Sequence, residues 1–154
     1  MTGYELLEEL AYRHGLNVVS ARLLYSDGMI VGKDIGIRKD IETQAERADV
    51  LAEEIAHSQL TVGNILDQGK TENRKQEHKA RRLAYDMRVG LEGIVHALEY
   101  GCQTPYEAAE YLGVTEKFFL EALDYYHQKY GECVTVGNYI LVFEPTLYYI
   151  DTGE

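Results

Sequence analysis

The stretch Leu51-Ala52-Glu53-Glu54-Ile55-Ala56-His57 decides how this chain is read. A helix is expected to begin near Thr43, a good N-cap with Glu46 three residues on, and to run to about Gln59. Inside such a helix, side chains at i and i+4 share a face. Glu53 and His57 therefore project together, and Glu54 lies about 100° around from Glu53. The pattern is one residue away from His-Glu-x-x-His, in which two ligands at i and i+4 hold one metal ion and the glutamate between them acts on water. Glu53 stands where the first histidine would be. A carboxylate oxygen binds Zn²⁺ at about the distance imidazole does, but one imidazole with carboxylates makes a harder, more anionic donor set. Such a set suits Mn²⁺ or a loosely held Zn²⁺. Taken alone, Glu-Glu-x-x-His is common by chance, and a solvated helix face explains it as well.

Upstream of this helix, Tyr4 to Arg13 places Leu6, Leu7, Leu10 and Ala11 at helical spacing, with Gly15 as a stop. Leu16 to Tyr25 is apolar and β-branched, Ser26-Asp27-Gly28 is a turn signal, and Met29-Ile30-Val31-Gly32 reads as a strand that Asp34 to Arg38 continues with alternation. Downstream, Gly63, Asn64, Asp67 and Gly69 mark a loop. A long helix follows from about Glu72 to Tyr100, with Ala80, Leu83, Ala84 and Met87 on one stripe and Gly90 and Gly93 as points of weakness or bending.

Gly101 to Pro105 breaks the chain. Two shorter helices, 105–112 and 116–130, join at Gly113-Val114-Thr115, with Thr115 as N-cap of the second and Gly131 as its stop. Strands 133–136 and 139–144 meet at the two-residue turn Gly137-Asn138. The fold class is α+β. A small antiparallel sheet packs on the helix of residues 51–57 and on the second long helix, and a helix-turn-helix-like pair and a β-hairpin follow. The expected division is 1–100 for the first part and 101–154 for the helical pair plus hairpin.

A metal site on Glu53 and His57 needs a third protein ligand from another element. Glu77, early in the next helix, is the best candidate, because the small Ala80 and Ala84 let two helices approach closely. At this point the chain resembles the ImmA/IrrE-type metallopeptidases of mobile elements and stress regulators. The resemblance rests on the strand Asp27-Gly28-Met29-Ile30, the helix from Leu51 to His57, the segment Thr61-Val62-Gly63-Asn64-Ile65, and the pattern Glu77-x-x-Ala80-x-x-x-Ala84. It covers most of the chain, with the pieces in the family's order, and the helical pair of residues 105–130 resembles the one that ends many members. It implies a zincin-like fold with Zn²⁺ (or Mn²⁺) held by Glu53, His57 and Glu77, and Glu54 as general base. It also implies a role: cleaving or otherwise inactivating a helix-turn-helix repressor encoded beside it. The alternative is a non-catalytic module that sequesters the repressor, and a DNA-binding regulator is a weaker third.

Composition narrows these choices. The 154 residues are 45% hydrophobic and 27% charged, an ordinary globular balance. The first residues lack the basic and apolar regions of a signal peptide, and no apolar run reaches the roughly 18 residues of a membrane span. Cys102 and Cys133 suggest neither a disulfide scaffold nor a metal knuckle, so a cytoplasmic chain with reduced thiols is expected.

A net charge of −11 argues against direct nucleic-acid binding. Residues 70–88 nevertheless carry seven Lys/Arg against three Asp/Glu, a local +4 that could engage an acidic stretch of a partner. Residues 101–154 carry two against nine, a local −7. A DNA-reading helix needs basic or amide groups at its exposed N-terminal positions, where residues 116–124 offer Glu116, Lys117, Glu121 and Asp124. Packing against the catalytic layer, or docking a basic protein partner, fits that charge better. His78 points away from Glu77, and His14, His96 and His127 read as isolated surface or boundary residues. Any of the 13 tyrosines could stabilise an oxyanion, although amphipathic packing accounts for nearly all of them.

Overall fold

The computed structural model describes residues 2–60 and 70–153, the side chains of 70–73 excepted. Two compact units divide the chain, Met1–Ala84 and Tyr85–Glu154, each with its own core. Both mix helices with a small sheet. Among the described residues no helix is long and apolar enough to cross a membrane. The expected loop of Gly63 to Gly69 and the segment Thr61 to Ile65 lie outside the described residues.

In the first unit, α1 (Gly3–Arg13) starts at Thr2, whose hydroxyl accepts from the Glu5 amide while the Glu5 carboxylate accepts from the Thr2 amide. Two of the helix's four orphan donors are satisfied this way. Leu7 and Ala11, one turn apart, are its buried residues. Next come β1 (Asn17–Ala21), β2 (Gly28–Val31) and β3 (Asp34–Arg38), arranged in the order β1-β3-β2. β2 and β3 form an antiparallel hairpin through Gly32, which sits at φ +61°, but β1 runs parallel to β3.

The expected all-antiparallel sheet is therefore mixed, and the continuous strand expected from Met29 to Arg38 is a hairpin. The physical reason lies in burial. Ile35, Gly36 and Ile37 are the most enclosed strand residues, so β3 takes the centre and the chain skips that place on leaving β1. Arg38 binds Asp27 at 2.7 Å and Asp40 at 2.8 Å, and its amide donates to the Asp27 carbonyl, holding the β2 end of the β1–β2 connection.

α2 (Gln44–Leu60) is capped as expected, with the Thr43 hydroxyl accepting from the Glu46 amide at 3.1 Å. Its apolar stripe of Ala48, Leu51, Ala52, Ile55 and Ala56 is buried, and its packing partners are α1 and strands β2 and β3. Fully burying residues such as Leu51 and Ile55 contributes about 2–3 kcal/mol each.

The helix expected to run unbroken to Tyr100 is two helices. α3 (Lys70–Arg88) ends at Val89, and α4 (Gly90–Tyr100) begins at Gly90, whose φ of +69° an α-helix cannot accommodate. In the second unit, α5 (Pro105–Leu112) and α6 (Glu116–Tyr130) have the expected bounds. They start on the Thr104 and Thr115 hydroxyls, and Pro105 occupies the first turn.

The hairpin β4 (Cys133–Val136) and β5 (Tyr139–Val142) turns at Gly137, which alone of the turn residues has positive φ. A third strand, β6 (Tyr148–Asp151), extends it into an antiparallel sheet that was not anticipated. Phe119, Tyr126, Ile94, Val95 and Leu141 form the core, and the Tyr126 hydroxyl donates to Asp86 at 2.7 Å.

Candidate functional site

The apolar stripe of α2 fixes its rotation, which leaves Glu53, Glu54 and His57 half-buried at the margin of the packed face. Glu54 lies against strand β2. A methyl group built on Gly28 would stand 3.1 Å from the Glu54 Cγ, 3.2 Å from its Oε1 and 2.7 Å from the Val50 Cγ1. Only glycine allows the strand to ride this close to the helix. That close approach was missed in the sequence, where Gly28 reads as turn and strand-start punctuation. A glycine at a strand end followed by Met29-Ile30-Val31 was the available signal.

Across from α2, Glu77 of α3 brings its Oε2 to 3.3 Å from the His57 Nε2. Two donors that each lie about 2.0–2.1 Å from a tetrahedral zinc stand about 3.3 Å apart, so this pair has the span of one edge of such a site. Glu53 and Glu77 both act on Glu54 through their charge. The Glu54 carboxyl is pushed up from 4.5 to about 7, first by burial, then by Glu53 and then by Glu77. A carboxyl titrating near neutrality can both take and give a proton at physiological pH.

The structure thus brings His57 and Glu77 together and sets Glu54 within electrostatic reach of Glu53 and Glu77. Among the described residues, no three His, Cys, Asp or Glu side chains are gathered closely enough to hold a metal ion. In this conformation Glu53 does not complete the set.

The other histidines divide. His14, His78 and His96 are exposed, whereas His127 contacts the Glu144 carboxylate and stacks on Phe143 with ring centroids 5.9 Å apart. His127 is therefore not isolated, and its partners come from the strand region that follows α6. Cys102 and Cys133 are both free thiols. The exposed N-terminal side of α6 bears Glu116 and Lys117, with Asp124 exposed two turns on. Compared with known proteins, the sequence matches no family model and no curated protein.

Proposed function

We propose that this chain is a metal-dependent endopeptidase acting on a protein substrate. The resemblance drawn from its sequence makes that substrate a helix-turn-helix repressor of a mobile element, which cleavage inactivates. The approach of His57 to Glu77 at 3.3 Å carries this reading, because it pairs two donor side chains from separate helices at the span of a zinc-site edge. His57 and Glu77 would hold the ion, and Glu53 would join them after rotating about its side-chain bonds. Bound Zn²⁺ would supply Lewis-acid polarisation of the scissile carbonyl and of the attacking water.

Glu54 handles the proton. Its carboxylate oxygen takes a proton from the water as the oxygen attacks the carbonyl carbon, then delivers it to the amine nitrogen as the C–N bond breaks.

A second reading, repressor binding without cleavage, is favoured by Glu53 itself. A carboxylate in place of imidazole makes the donor set more anionic and weakens the Lewis acidity of the ion.

Metal titration with thermal melting tests the proposal. After chelation, Zn²⁺ or Mn²⁺ at a hundredfold excess over Kd should stabilise the chain by about 2.7 kcal/mol. Glu77→Ala and His57→Ala should lose that gain. Glu54→Gln should keep the metal and lose cleavage of the co-expressed repressor. Absence of stabilisation by either ion sinks the peptidase reading, and metal binding without cleavage selects the second.

A further inference from the structure

The second unit carries most of the chain's charge: Tyr85–Glu154 holds three Lys/Arg against twelve Asp/Glu, −9 of the total −11. All three cations have engagements of their own. Arg88 donates to the Gly113 carbonyl, Lys117 lies 3.9 Å from Glu121, and Lys129 sits over the rings of Tyr125 and Tyr130 at 5.7 and 5.2 Å. Among the described residues no lysine or arginine pairs with Glu107 or Glu110.

Those two carboxylates line a cavity of about 370 Å³ at the α4–α5 corner, together with Tyr100, Gly101, Cys102 and Tyr111. Tyr100 and Tyr111 form one wall, with ring centroids 4.8 Å apart and planes tilted by 35°. Both are exposed, at 75% and 43%. Each carboxylate is held by a hydrogen bond from a neighbour. Glu107 accepts from the Gln103 amide at 3.3 Å, and Glu110 accepts from the Tyr106 hydroxyl at 2.9 Å.

Paired aromatic faces attract cations through their quadrupole, and neighbouring carboxylates add charge and hydrogen-bond acceptors. The same unit already uses this chemistry internally, where Lys129 lies over two tyrosines.

We propose that the Tyr100–Tyr111 cavity is a docking site for a lysine or arginine side chain on a basic segment of a protein partner. The ammonium or guanidinium group lies against the tyrosine faces and pairs with Glu107 and Glu110. The site is independent of metal chemistry, so it stands or falls apart from the peptidase reading.

The test titrates the full chain with a blocked peptide carrying three lysines or three arginines spaced by alanine, and with its glutamine counterpart. Amide NMR and calorimetry provide the readouts. The cationic peptides should bind about tenfold tighter than the glutamine peptide, with shifts centred on residues 100–111. Tyr100→Leu with Tyr111→Leu should weaken binding by about fivefold or more, as should Glu107→Gln with Glu110→Gln. These side chains are exposed, so unchanged melting temperatures will show that the fold is intact.

Equal binding of the glutamine peptide overturns the proposal. So do shifts spread over the whole acidic surface, or full binding by the double-leucine variant. Spermidine binding at the same residues as tightly as the peptides reassigns the site to free polyamines. Concentration-dependent shifts without peptide reassign it to a second copy of the chain. Either result overturns the assignment to a partner protein.

Discussion

Replacing Glu54 by glutamine should change stability in a way that depends strongly on pH. The folded carboxyl titrates at about 7 against 4.5 when unperturbed, because burial and the charges of Glu53 and Glu77 disfavour its ionised form. Below pH 4.5 it is neutral in both folded and unfolded chains and costs nothing. Between 4.5 and about 7 the unfolded chain releases a proton that the folded chain keeps, so stability falls as pH rises, by up to about 1.4 kcal/mol per pH unit. Above 7 the loss levels off. The gap corresponds to about 3 kcal/mol, and residual solvent contact reduces the expectation to about 2–3 kcal/mol.

Glu54→Gln removes this titration while keeping nearly the same shape. In urea unfolding of chelator-treated protein, variant and wild type should be within about 0.5 kcal/mol at pH 4.5. By pH 8 the variant should be more stable by about 2–3 kcal/mol. A constant difference across this range, or a variant that is weaker at pH 8, refutes the account of Glu54 as a buried, charge-repelled acid.

Three further perturbations address the scaffold. Gly28→Ala forces a methyl group into Val50 and Glu54, and should lower stability by about 1–3 kcal/mol in urea unfolding; a neutral result would mean that the strand is free to move off the helix. Tyr126→Phe deletes the hydroxyl that donates to Asp86 and should cost about 1–3 kcal/mol, read from the shift in the unfolding midpoint. Thr104→Ala removes the acceptor for the Glu107 amide at the start of α5. It should cost about 1 kcal/mol, with faster hydrogen exchange in that helix first.

Local signals made much of this fold legible. Thr43, Thr115 and Gly131 act through bonds within four residues and Gly137 through its own positive φ, and the elements they bound start or stop where those signals put them. What escaped reading depends on partners distant in sequence. Nothing local says that β1 pairs with β3 and not with β2, because that choice is made by the burial of Ile35 and Ile37. Gly90 was recognised as a weak point, but whether it bends or breaks a helix depends on the backbone angle its surroundings impose. β6 was overlooked because Tyr148-Tyr149-Ile150-Asp151 is short and acquires its meaning only beside β5.

At the candidate site, the placement of Glu53 and His57 on one helix followed from periodicity. The choice of Glu77 followed from the need for a ligand on another element and from the small Ala80 and Ala84 beside it, and its distance from His57 comes from the structure alone. The raised proton affinity of Glu54 depends on burial and on Glu77, which lies in another element.

The contact of Gly28 with Val50 has a consequence for how this sequence can drift. Residue 28 gains a side chain without strain only if residue 50 first becomes smaller, since a methyl group would lie 2.7 Å from the valine Cγ1. The order of changes then matters. Val50→Ala followed by Gly28→Ala passes through a mildly loosened intermediate, whereas the reverse order passes through a clash. The two positions form a ratchet whose permissive step lies in the helix and whose visible effect lies in the strand. Even along the permissive path, the added methyl meets Glu54, so drift at this crossing is ultimately limited by the carboxylate.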